Sequence, residues 1–202
     1  MLTLNLGCGI NRKRLYDKEF EGVVFHIDKN PDIGADIVWD LNRGLPWSSS
    51  PDARFAQDSG VPFDNNVDEV HAYHLIEHIG EMGKTEVWFG FWRDCWRALR
   101  SGGLMFIVAP YYLHENAIGD PTHTRLICRQ TFHFLDRSSY LVKPGGVSSA
   151  ISQLDIDFDF VTKEIKTQSE GENTIPHTIM AVLEARKTPE GGLVNTKQEA
   201  AK

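Results

Sequence analysis

The chain begins Leu2-Thr3-Leu4-Asn5-Leu6-Gly7-Cys8-Gly9, a short apolar run that breaks straight into a glycine-punctuated loop. Nineteen residues after Gly9, a second apolar run, Val23-Val24-Phe25-His26-Ile27, ends on Asp28. A strand, a Gly-x-Gly turn and an acid closing the next strand make the fingerprint of a βαβ unit that holds an adenosine-containing ligand. The glycines let backbone approach the ligand, and the acid accepts hydrogen bonds from ribose hydroxyls. Either piece alone has a plainer meaning: Gly-x-Gly is also a tight turn, and Asp28 before Lys29-Asn30-Pro31 also starts one.

The ligand is narrowed by what surrounds the loop. A dinucleotide fingerprint needs a small residue three positions after the second glycine, so that the following helix can pack on the strand. Here that position is Arg12, within Asn11-Arg12-Lys13-Arg14, which argues against NAD and FAD. No Gly-Lys-Ser/Thr closes the loop as a phosphate-binding loop requires. The remaining common adenosine ligand is S-adenosylmethionine, which has no pyrophosphate and does not need the third glycine.

Outward from this unit, apolar runs at Leu2–Leu6, Val23–Ile27, Ala35–Trp39, Val67–Tyr73 and Leu104–Ala109 read as strands buried on both faces. About Lys84 to Leu99, the recurrence of Trp88, Phe91, Trp92, Cys95 and Leu99 on one face predicts a helix, with Gly102-Gly103 stopping it. Those tryptophans read as core. Ile156, Phe158 and Phe160 alternate with aspartates as a half-exposed strand, with His177 to Ala185 as its antiparallel partner. Trp47 to Pro62, rich in Ser, Pro, Asp and Gly, reads as a loop or insertion. Residues 1–187 are expected to form the domain, and 188–202, without apolar periodicity, a disordered tail.

With 202 residues, 41% of them hydrophobic, the chain suffices for one sizeable core. A net charge of −7 counts against nucleic acid as partner. The one basic cluster, Arg12 to Arg14, reads first as a solvated helical turn. Cys8, Cys95 and Cys128 are too scattered for a disulfide framework or zinc ribbon and suit a reducing, cytoplasmic setting. No signal peptide or bilayer-spanning stretch is expected, and oligomeric state is left open.

Together these features resemble the class I S-adenosylmethionine-dependent methyltransferases over roughly Leu2 to Ala185. The resemblance implies a doubly wound, mostly parallel seven-stranded sheet with an antiparallel terminal strand and helices on both faces. Leu4 to Gly9 resembles the family's first motif, which packs against the methionine part and ribose, and Asp28 its ribose-binding acid. Asp40 and Leu41, ending the third strand, occupy the positions that address the adenine, although Asp40-Leu41-Asn42-Arg43-Gly44 also reads as an ordinary turn. Val67 to His78 is similar to the fourth strand with its Leu-Glu-His-like turn, and Leu99 to Val108 to the helix end and fifth strand. The implied cofactor contacts are Asn5, Gly7, Cys8, Gly9, Asp28, Lys29, Asp40 and Leu41. The family's usual N-terminal substrate-binding helix is expected to be missing.

Ligands of such a sheet bind beyond the carboxyl ends of its strands where the order reverses, here between the first and fourth. The acceptor should then approach near Tyr111, Tyr112 and His114. Methyl transfer needs alignment and desolvation, and a base only if the acceptor is protonated. His74 and His123 are the candidate catalytic residues. His123 or Arg125 could instead simply pin the Gly119–Arg125 loop to Asp120. His74-Leu75-Ile76-Glu77-His78 matches the His-x-x-Glu-His zinc-hydrolase pattern. That reading ranks lower, because the segment follows a strand and Gly80 and Gly83 oppose a long helix, so no metal is assigned. The chain lacks both the Asp/Asn-Pro-Pro-aromatic motif of DNA amino-methylating enzymes and the Pro-Cys of cytosine-C5 enzymes. Small molecules, sugars, lipids and protein side chains remain as acceptors. The rival reading is a module that keeps the fold and binds the cofactor without transferring the methyl group.

Overall fold

The structure, a computed structural model, describes residues 1–13, 19–46, 63–141, 156–171 and 174–188. Arg14, the Trp47–Pro62 segment and the tail beyond Thr188 lie outside the described residues. Seven strands form one sheet: β1 Leu2–Leu6, β2 Val23–Asp28, β3 Ile37–Val38, β4 Val67–Tyr73, β5 Leu99–Pro110, β6 Phe160–Gln168 and β7 Thr178–Ala185. Their order is β3-β2-β1-β4-β5-β7-β6. The first five strands are parallel, and β7 enters antiparallel between β5 and β6. The order reverses between β1 and β4, the expected doubly wound arrangement.

Helix α1, Glu86–Ala98, buries Trp88, Phe91, Trp92 and Cys95 as its periodicity requires. Trp92 meets Trp88 and Phe160 edge-on, with ring centroids 5.3 and 6.2 Å away. Among the described residues three shorter helices follow: α2 Glu115–Gly119, α3 Arg129–His133 and α4 Arg137–Leu141. No helix among the described residues is long and apolar enough to cross a membrane.

The glycines do not end α1. The helix stops at Ala98 because Leu99 is already extended and pairs with Val67 in the sheet. Gly102 (φ +74°) and Gly103 instead lie inside β5, in an irregularity between the pairs Val67–Leu99 and Glu69–Leu104. A Cβ on Gly103 would stand 3.0 Å from the carbonyl oxygens of Arg100 and Val67, so the bulge needs a residue without one. The sixth strand also departs from expectation. Residues 156–159 are not strand, and β6 starts at Phe160. Asp159, expected to face water, is fully buried and accepts hydrogen bonds from Arg137 N and the Arg186 guanidinium. β3 is shorter than Ala35–Trp39 because Trp39 N donates to Asp28 O (2.8 Å) and Asp40 then caps a turn.

The two sheet faces differ chemically. Strand alternation and register place Phe25, Leu4, Val70 and Met105 in one apolar row. The neighbouring row is His26, Asn5, His71 and Phe106. On this second face, fully buried His71 stacks on Phe106 and bonds Glu69 through Nε2 (2.9 Å). These polar groups lie within runs that read as strands buried on both faces.

Candidate functional site

Gly7 and Gly9 both take positive φ, +58° and +51°. A Cβ on Gly7 would stand 2.7 Å from Leu75 Cδ1, so this glycine admits the turn that follows β4 as well as the left-handed backbone. Asp28 reaches back to the loop: Oδ2 accepts from Gly9 N and Oδ1 from Asn30 N, both at 2.9 Å. A carboxylate offers about four acceptor positions, so Asp28 clamps the loop and keeps capacity for a ligand. Arg12 is no solvated helical residue. Its guanidinium donates to Cys8 Sγ (3.1 Å) and Ile33 O (2.7 Å), tying the loop to the turn after β2. Burial raises the Cys8 thiol pKa against the opposing pull of Arg12, which favours the neutral form.

Beyond the ends of β1, β2 and β4 lies a cavity of about 320 Å³. Its lining includes the expected Gly7, Asp28, Lys29, Asp40, Leu41 and His74. It also includes Trp39, Asn42, Leu75, His78, Ile79 and Thr122, which the sequence reading did not assign to the cofactor. Asp40 serves both of its readings at once. It lines the cavity and caps the Leu41–Arg43 turn, Oδ1 accepting from Asn42 N and Nδ2 at 3.0 Å. Asn42 Oδ1 then accepts from Gly80 N (2.8 Å), joining this wall to the segment after β4. Asn5, Cys8 and Gly9 are not in the lining. Asn5 is buried behind it, its Nδ2 on Asn11 O (3.1 Å) and His26 Nδ1 (3.0 Å), and it shapes the loop from inside.

His74 follows β4 with φ +50°, a left-handed conformation costing a residue with a Cβ about 1–2 kcal/mol. Its amide donates to Val108 O (2.8 Å), its side chain is 59% exposed, and the residue lines the cavity. A single 3-10 turn, Ile76–His78, comes next. The helix that would set two histidines of a His-x-x-Glu-His zinc hydrolase one turn apart is therefore not formed. Yet Glu77 turns inward, its side chain 2% exposed.

The Gly119–Arg125 segment docks on this turn: Thr124 donates to Glu77 O through N (2.8 Å) and Oγ1 (3.1 Å). Thr122 donates to Asp120 Oδ1 through N and Oγ1, holding the Asp120 carboxyl below its usual pKa. Arg125 does not pin the loop to Asp120; it donates to Lys84 O and lies 4.6 Å over the Trp88 ring. His123 is largely buried behind the cavity, with Nδ1 3.1 Å from Ala117 O and its ring 4.7 Å from that of His78. Tyr111, Tyr112 and His114 are not in the cavity lining. Tyr111 N bonds His177 O, and His114 borders a separate depression with His177. The chain after β5 is drawn toward the entry of β7, away from this cavity.

No protein-family model and no curated protein sequence matches the chain. Solved structures do. The candidate methyltransferase in a complex with the Haloferax volcanii Trm112 methyltransferase activator is 14% identical, with a TM-score of 0.56 over 93% of this chain and 82% of that one. A SAM-dependent methyltransferase from Archaeoglobus fulgidus is 16% identical, with a TM-score of 0.51 over 91% and 85%. With the strand order, these likenesses show the class I S-adenosylmethionine-dependent methyltransferase fold.

Proposed function

We propose that this protein binds S-adenosylmethionine in the cavity beyond β1, β2 and β4 and transfers its methyl group to an acceptor. One observation carries the reading: the glycine turn, Asp28 and the Asp40–Leu41 turn, remote in sequence, line one cavity where the strand order reverses. In that pose Asp28 takes the ribose hydroxyls, Asp40 and Leu41 face the base, and the Gly7 loop lies along the methionine part.

In the transfer, an acceptor lone pair attacks the sulfonium methyl in line. The carbon–sulfur bond breaks toward sulfur, leaving S-adenosylhomocysteine. Where the acceptor carries a proton, His74 receives it, since His74 lines the same cavity as Gly7. Calorimetric titration with S-adenosylmethionine, S-adenosylhomocysteine and NAD tests the binding step. Micromolar binding of the first two without NAD is expected, and a preference for NAD overturns the reading. Formation of S-adenosylhomocysteine during incubation with candidate acceptors tests the transfer. Tight cofactor binding with no turnover on any acceptor would favour the binding-module alternative.

A further inference from the structure

Glu77, His78 and His123 present one donor atom each, all within 4.8 Å of one another, and His78 lines the cavity. Among the described residues neither Glu77 carboxylate oxygen has a hydrogen-bond partner, and both oxygens are fully buried. A buried carboxylate is costly unless it is paired or binds a metal. The nearest cationic candidate is His74, whose Nδ1 stands 3.6 Å from Oε1, beyond hydrogen-bond length.

Each of the two histidines has one ring nitrogen already engaged by a neighbouring oxygen. His123 Nδ1 lies 3.1 Å from Ala117 O, which accepts only from an N–H, so Nε2 keeps its lone pair. His78 Nδ1 is engaged with Thr122 at O (3.3 Å) and Oγ1 (3.1 Å), which leaves Nε2 as the nitrogen available to ligate. Fixing one ring nitrogen on a carbonyl so that the other can ligate is the usual outer-shell support of a metal site. Asp120 Oδ2, 3.7 Å from His123 Nε2, adds negative charge at the rim. Ligands bound at ~2.0–2.2 Å sit about 3–4.4 Å apart, so the three close on an ion with small side-chain rotations.

We infer that Glu77, His78 and His123 bind a divalent first-row transition-metal ion, from Mn²⁺ to Zn²⁺, with open positions toward the cavity. Two imidazoles and one carboxylate suit these ions better than Mg²⁺ or Ca²⁺, which favour all-oxygen sites. His78 and Thr122 line the cofactor cavity, so the ion borders the space left for the acceptor. Resting on the methyl-transfer reading, this points to acceptors that present oxygen, such as hydroxyls, to the ion. Coordination would lower the hydroxyl pKa, and His74 would take its proton.

The test uses untagged, chelator-stripped full-length chain titrated calorimetrically with Zn²⁺, Mn²⁺ and Co²⁺, with S-adenosylhomocysteine titrated in parallel. One ion per chain is expected, with a rise in Tm. Glu77→Gln and His123→Ala should each weaken ion binding at least 10²-fold, the upper end of what outer-shell changes alone cause. S-Adenosylhomocysteine affinity should stay within a few-fold. Metal-free Glu77→Gln should melt at or above metal-free wild type, because it removes a buried carboxylate that has no hydrogen-bond partner. Should His123→Ala fail to fold, Glu77→Gln alone decides. The site is overturned if no ion binds below about 0.1 mM, if Glu77→Gln binds as wild type does, or if metal-free Glu77→Gln melts several degrees lower. Ion binding without S-adenosylhomocysteine binding would sink the methyl-transfer reading and leave the ion site standing.

Discussion

Asp28 offers the sharpest test of the cofactor site, because its two jobs separate under two substitutions. In the folded chain it accepts from Gly9 N and Asn30 N at 2.9 Å while facing the cavity. In Asp28→Ala, both loop amides pass to water. They are only partly buried, so the stability loss should be about 1–2 kcal/mol, below the sum for two charged hydrogen bonds. The ribose loses its acceptor as well, at about 1.5–3 kcal/mol, which is roughly 10- to 150-fold in Kd. Asp28→Asn keeps the shape but cannot keep both loop bonds, since its NH₂ must face Gly9 N–H or Asn30 N–H. It should therefore recover only part of the affinity lost in the alanine variant. Calorimetry with S-adenosylhomocysteine, paired with thermal melting, reads both quantities. If both variants bind within twofold of wild type, Asp28 is a turn former only and the cavity assignment fails.

His74→Asn keeps a residue that tolerates left-handed backbone; cofactor affinity should hold while turnover falls about 10²-fold or more, and wild-type turnover would remove His74 from the reaction. Arg186→Met strips the guanidinium from fully buried Asp159 and from Asp136, so urea denaturation should show a loss of about 3–5 kcal/mol; a loss under 1 kcal/mol would refute the pairing. Lys187, on Asn65 Oδ1 and the carbonyls of Arg97 and Leu99, has its pKa lowered by burial to about 8. Below pH 8 the folded and unfolded chains both carry that proton, whereas between pH 8 and 10.5 only the unfolded chain does. Stability relative to Lys187→Met should therefore rise across that window, by at most about 3 kcal/mol and less where water screens the amine. A flat or falling difference would contradict it.

What the sequence made legible was whatever short-range pattern dictates. β1 and β4 match the expected bounds because runs rich in apolar residues end on loop residues, and α1 follows from the spacing of its aromatic residues. The glycine turn, Asp28 and Asp40 were readable because each closes a strand, and strand ends converge in a parallel sheet. What escaped depends on partners remote in the chain. Asp159 alternates with phenylalanines as an exposed strand residue would, but Arg186 and Arg137 bury it. Gly102-Gly103 looks like a helix stop, yet the pairing of Leu99 with Val67 ends the helix earlier and leaves the glycines to the bulge. The His-x-x-Glu-His segment shows the same limit most clearly. As a helix motif it fails, since His74 is left-handed and only one 3-10 turn follows. Its Glu77 and His78 nevertheless gain a third donor from His123, carried in by the loop that Thr124 docks on Glu77 O. Motif spacing presumes a secondary structure. When the chain adopts another one, the same residues can still converge, through a backbone contact that no spacing records.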